Sequence, residues 1–425
     1  RTATSSRSST SRAARPIVEV RAANTGSQDN RLTLIATVAG SVLRFVSAAA
    51  SEPEEGSAEP YRLEIVQFAS YAELEPHGRA FEPTAAERAE AAAQPSPETV
   101  RHADATAGLV VTSVFEAFPG LSAVRTYARL SSARPLPIEA VSSLNLTVPM
   151  RVNCGKISHS RIFWGDSAWA VENDWHNRSL RETQLRDRNQ NINPGQSSSR
   201  FALSSTSTWS TGVHEPAGIV QVEGSTRRAR DFSVMWQIEH NGPWEWEVGE
   251  DDPGLHISAF GPEFQDHQWY TQLGEGNDSE SVPVSFAITS GNWQQSVAEM
   301  TLQRRALRAA KARELGRSEQ FERTQGLVIY NDYMNTLFGD PRLEKELPLV
   351  EGAARVGADI FCIDAGWYDS TDGGWWDMVG EWQASTNRFG EAGLKGLAGT
   401  IRAHGMGLGL WLEPEVIGVK SPLAQ

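Results

Sequence analysis

Three short stretches carry residue types suited to holding a polyol. Asn331-Asp332-Tyr333 follows the apolar run GLVIY, Asp364 with Gly366 and Trp367 follows DIFCI, and Glu413-Pro414-Glu415 follows GLGLWL. A carboxylate accepts hydrogen bonds from two adjacent hydroxyls, and such charge-assisted bonds are among the stronger ones. An indole or phenol ring covers the apolar C–H face of a pyranose. One acid at the end of a strand would be weak evidence, since acids also cap the helix that follows. Three in succession, each beside an aromatic, point to a shared site for a sugar.

Such a site needs elements that bring the three stretches together. Each apolar run reads as a strand buried on both faces, and helical segments separate them. Asp340-Pro341 offers an N-cap and a proline at the first helical position. Leu343, Leu347, Val350 and Ala354 follow at helical spacing, and Gly357 stops the helix. Leu394, Leu397 and Ile401 mark a second helix, ended by Gly405. Fully apolar strands alternating with helices predict a parallel sheet covered by helices. In a β/α barrel the active site lies at the C-terminal strand ends, where all three stretches fall. A full barrel needs about 250 residues, whereas residues 326–425 hold only three β/α units. The chain also starts at Arg1 rather than Met, so it is expected to be a piece of a longer product.

Upstream, from about Pro16 to Thr289, the texture is β. WEWEV sets Trp244, Trp246 and Val248 on one face and Glu245 and Glu247 on the other. PVSFAIT does the same with Val284, Phe286 and Ile288. This alternation predicts half-buried strands in antiparallel sheets and a large sandwich. SEPEEGSAEP (51–60) and the segment from Pro83 to Gly108 read as surface loops. Residues 294–313 hold strong helix formers without Gly or Pro and predict a connecting helix. The domains expected are a basic Ser/Arg-rich tail (1–15), a β-sandwich (16–293), a helix and linker (294–325) and an incomplete α/β domain (326–425). The tail reads as disordered.

Composition narrows the partners. A net charge of −14 disfavours nucleic acid and anionic membranes. No apolar run reaches the roughly 18 residues of a spanning helix. Cys154 and Cys362 are the only cysteines; they form no disulfide framework and no metal spacing, which favours a reducing, cytoplasmic setting. The glycines form no phosphate loop, and no GxSxG elbow is present. Fourteen tryptophans in an acidic chain suit sugar binding.

NDYMNTLFGDPRLEKELPLVEGAARVGADIFCIDAGWY, GEWQ and GLKGLAGTIRAHGMGLGLWLEPEVIG, with upstream blocks such as ENDWHNRSLRETQLRDRNQN and WYTQLGEGNDSESVPVSFA, resemble the retaining α-galactosidases of glycoside hydrolase family 36. The likeness runs from roughly residue 110 to 425. It implies a β-supersandwich followed by the first three units of a (β/α)8 TIM barrel. It implies hydrolysis of terminal α-D-galactosides with no cofactor or metal, and a homo-oligomer. Asp364 matches the carboxylate that binds the galactose O4 and O6 hydroxyls. Tyr333, Trp382 and Trp367 match aromatics around the ring, and Asp332 binds or orients. The family often has a second aspartate after the first; here that position is Ala365. The family's nucleophile and acid/base are aspartates on later strands, so none is expected within residues 1–425. Glu413 and Glu415 then take a supporting role, although a carboxylate pair about 5–5.5 Å apart is also what retaining hydrolysis uses. Two other readings stay open: a related α-glycosidase, such as an α-N-acetylgalactosaminidase or a galactosyl-transferring enzyme, and a non-catalytic sugar-binding protein.

Overall fold

The computed structural model describes residues 16–25, 34, 37–54, 57–74, 106–149, 160–183, 185, 200–224, 231–251, 254–274, 276–370 and 374–424. The expected tail (1–15) and most of the segment from Pro83 to Gly108 lie outside them. The chain divides into two compact units, Arg1–Lys311 and Ala312–Gln425.

Among the described residues the first unit holds a ten-stranded and a six-stranded sheet. In the larger one, Phe232–Ile238 pairs antiparallel with His214–Val222 and Val284–Ser290. In the smaller one, Trp244–Asp251 pairs antiparallel with Gly254–Phe260 and Arg200–Ser205. One core joins them. Ile162, Val220, Val234 and Trp236 come from the larger sheet, and Leu144, Trp244, Trp246 and Ile257 from the smaller. The Trp236 and Trp246 rings meet edge to face at 5.1 Å, a favoured aromatic geometry. The 51–60 stretch links the antiparallel strands Arg44–Ser51 and Tyr61–Ser70.

Two faces expected to be solvated are not. Glu245 and Glu247 alternate with the core tryptophans as the pattern requires, yet both are buried. Arg200, on the adjacent strand, reaches Glu245 at 2.6 Å and Glu247 at 3.3 Å. His256 and the Leu34 N–H also contact Glu247. Burial pushes the Glu245 carboxyl up to about 8, against the pull of Arg200. In PVSFAIT, Val284 and Phe286 reach the sandwich core, but Ile288 is exposed. The opposite face packs instead: Ala287 joins Met235, Phe163 and Ile219 against Met300 and Val297 of the helix Trp293–Glu314. That helix covers one sheet from outside, so an alternating strand is buried on both sides. Among the described residues no helix is long and apolar enough to cross a membrane.

The second unit is built on a three-stranded parallel sheet in sequential order: Ile329–Asn331, Ile360–Ile363, Gly407–Leu410. Helix Leu343–Arg355 connects the first two strands and helix Gly393–Ala403 the second and third. Phe361, Ile363, Val350, Leu397 and Ile401 form its core. Gly357 and Gly405 end the helices at positive φ, as their positions predict. Asp340 does not cap the first helix, which begins after an extended Arg342 without a side-chain cap. Its carboxylate instead takes Arg342 at 2.8 Å, Arg388 at 2.5 Å and Lys345. Three cations are stronger partners than one helical N–H. Leu347, expected on the core face, is exposed, while Glu346 is fully buried.

Candidate binding site at the parallel strand ends

Because the three strands are parallel, their C-terminal ends fall on one side of the sheet. Asp364 is the first residue beyond the central strand. Its Oδ2 accepts a 2.6 Å hydrogen bond from Asn331 Nδ2 at the end of the first strand. Its Oδ1 accepts the Ala365 N–H at 2.7 Å. The carboxylate remains half-buried, and each oxygen keeps acceptor capacity for a further donor. Asn331 also accepts the Tyr333 N–H at 2.9 Å, so one amide fixes both an acid and an aromatic.

Two residues after Asp364 the chain turns at Gly366, φ +102°, where a Cβ would lie 2.2 Å from the Gly339 carbonyl oxygen. Gly339 in turn lies against the Trp375 ring; a Cβ there would sit 2.1 Å from Trp375 Cδ1. Only glycine fits either position.

Asp332 is 2% exposed and turned inward. Its Oδ1 accepts the backbone N–H of Asp364 at 2.8 Å. Its other side faces the carboxyl of Glu346. Burial, then this pairing, pushes Glu346 up to about 10, and burial raises Asp332 as well. Asp332 therefore supports the strand end from beneath. Cys362 is close enough that burial, then Asp364 and Asp332, pushes its thiol up to about 11.

The aromatics form one connected group. Tyr333 is half-buried and meets Trp375 edge-on at 6.0 Å. Trp382 is half-buried with φ +52°, unusual for a bulky residue and costly unless its surroundings hold it. Those surroundings are Trp367 at 6.1 Å, Tyr368 at 4.9 Å and Trp411 at 5.9 Å. Trp367 is 4% exposed, and its Nε1 donates to the Trp411 carbonyl. Its ring thus backs Trp382 and offers little free face. Trp376 is 53% exposed, with Trp375 edge-on at 5.1 Å.

Glu413 is buried beyond the third strand. Burial, then Glu415, raises its pKa. Its charge in turn adds to burial in raising Tyr368. Glu415 is exposed.

Sequence reasoning named Asn331 without a role and passed over Trp411 and Glu346. Asn331 and Trp411 were recoverable, since each flanks a predicted strand end. Glu346 was not, because a glutamate in a helical repeat reads as solvent-facing.

The family model described as Melibiase matches residues 294–425. Alpha-galactosidase 1 of Pediococcus pentosaceus is 30% identical over 205 residues, covering 48% of this chain and 26% of that relative. A solved α-galactosidase, a variant of AgaA from Geobacillus stearothermophilus in complex with 1-deoxygalactonojirimycin, superposes with a TM-score of 0.61 at 17% identity, covering 97% of this chain and 47% of that one. Another AgaA variant, in complex with raffinose, gives 0.60 at 16% over the same shares. At these identities the structural likeness shows the fold. The chain thus spans about a quarter of the curated relative and about half of the solved chains. By sequence, residues 294–425 are similar to the melibiase family.

Proposed function

We propose that this chain is the sugar-recognition part of an α-galactosidase. The whole enzyme would cleave terminal α-D-galactosides with retention, through a covalent galactosyl-enzyme. In this reading the parallel unit supplies the first three β/α units of a (β/α)8 barrel, and the antiparallel unit is the β-supersandwich. One observation carries the assignment: Asp364 stands half-open at the strand ends, held by the same Asn331 that takes the Tyr333 N–H, in a loop whose Trp367 and Tyr368 rings pack against Trp382. A carboxylate fixed from behind is preorganised to take two hydroxyls, and the ring walls suit a pyranose face. The melibiase match and the raffinose complex of a structural relative support galactosides as substrate class. Asp332 and Trp367 position their neighbours. The nucleophile and acid/base are assigned to none of residues 1–425, so the chain binds without turning over. The reading needs no cofactor, and it includes a homo-oligomeric, cytoplasmic enzyme.

Calorimetric titration of the chain with D-galactose tests this. Binding that Asp364→Ala abolishes is expected. Turnover of an aryl α-galactoside by the purified chain would return Glu413 and Glu415 to catalysis. The second reading, a non-catalytic sugar binder, is favoured only by Ala365, which leaves one carboxylate where the resemblance implies two.

A further inference from the structure

Glu346 projects from helix Leu343–Arg355 into the core of the second unit, where it is 0% exposed and neither carboxyl oxygen meets a donor from any other described residue. Asp332 Oδ2 is equally buried and equally without such a donor, while its Oδ1 holds the Asp364 N–H at 2.8 Å. Two buried carboxylates with no cation between them are far too costly to coexist as anions. Facing carboxyls solve the problem when one carries a proton and donates to the other.

We propose that Glu346 and Asp332 share one proton beneath the strand ends, and that this pair is a positioning device for Asp364. The pair acts on the sugar-binding acid in two ways. The charge on Asp332 strengthens its bond to the Asp364 amide and so fixes where the strand ends. The shared proton removes one negative charge from beneath an acid that must itself accept hydroxyls. Neither Glu346 nor Asp332 is placed to touch the sugar. The titratable groups facing the pair are Asp364 and Cys362 from the central strand. Among the described residues no cation pairs with either member. Burial and the partner carboxyl both favour the protonated form of Glu346, in line with the geometry.

This inference rests on the galactoside reading of Asp364, and the experiment separates the two. Infrared spectroscopy of the chain at about pH 7 is expected to show a buried carboxylic acid C=O band that Glu346→Gln removes. The folded chain keeps the proton, so its melting temperature falls as pH rises from the ordinary 4.5 towards about 10. Glu346→Gln, which keeps a donor for Asp332, flattens that slope and retains D-galactose affinity. Glu346→Leu, which keeps the bulk and loses the donor, weakens D-galactose binding by about tenfold. No acid band lost between wild type and Glu346→Gln, together with equal slopes in the two, overturns the shared proton. Wild-type affinity in a folded Glu346→Leu chain overturns the positioning role. Should that variant fail to fold, wild type against Glu346→Gln still decides the shared proton, and Asp332→Asn, which keeps an acceptor for the Asp364 N–H without the charge, decides the positioning role: unchanged D-galactose affinity overturns it. An acid band that Glu346→Gln removes, in a chain that binds no galactose, leaves the proton pair standing and rejects the galactoside reading.

Discussion

Replacing Gly366 by alanine isolates what holds the turn behind Asp364. The left-handed φ alone costs an L-residue on the order of 1–2 kcal/mol. Gly357 measures that cost separately: its φ is +80°, and a Cβ there would meet nothing within 4 Å. At Gly366 the same Cβ would lie 2.2 Å from the Gly339 carbonyl oxygen and 2.9 Å from Pro341 Cδ, well inside the roughly 3.5 Å of ordinary contact. Neither neighbour is a flexible side chain, and Gly339 cannot retreat because the Trp375 ring lies on it. Overpacking that forces backbone to move costs about 1–3 kcal/mol more. Gly366→Ala should therefore exceed Gly357→Ala by about 1–3 kcal/mol, or about 5- to 150-fold in the local opening equilibrium. Hydrogen exchange of the Ile360–Ile363 amides, read by mass spectrometry, reports that equilibrium for this unit alone. Equal exchange in the two variants would refute the reasoning, because the close approach to Gly339 would then contribute nothing.

Two further outcomes follow from the same geometry. Asn331→Ala removes the 2.6 Å bond to Asp364 Oδ2, and a hydrogen bond to a charged group contributes about 1.5–3 kcal/mol. D-galactose affinity should fall at least about tenfold by calorimetry; unchanged affinity would show that Asp364 is held by other means. Asp340 titrates low: burial opposes its charge, but hydrogen bonds from Lys345, Arg388 and Arg342 prevail and hold it at about 2, below the usual 3.8. Its contribution to stability is thus present above pH 3.8 and lost as pH falls through about 2. Acid unfolding of Asp340→Asn should lack this loss, and identical acid limbs in variant and wild type would show that the cations do not act through Asp340.

The elements were legible where local pattern and burial agree. Apolar runs without alternation became the parallel strands, although burial on both faces holds only for the middle one, Ile329 being 58% and Leu410 37% exposed on the outer two. Gly357 and Gly405 stopped helices because positive φ is a local property. Asp364 was legible because an acid at the end of a buried strand contradicts its surroundings. Glu245 and Glu247 were misread, and Glu346 passed over, for a shared reason. A glutamate alternating with apolar residues looks solvated unless distant parts of the chain, here Arg200, His256 and Asp332, arrive to accept it. Ile288 and Ala287 exchanged roles because a helix beginning at Trp293 covers the face that alternation assigned to water.

The order of strands and helices, the places where they stop, and the acids and aromatics at three strand ends are written into the sequence, because each depends on residues a few positions apart. Which of those groups faces outward was decided by tertiary structure. Asp364 is offered and Asp332 is turned under it, although both follow apolar runs, because Asn331 pins the one and Glu346 receives the other across 14 residues of chain (346 minus 332). Charge burial is a property of the assembled surroundings, and only folding brings those surroundings together.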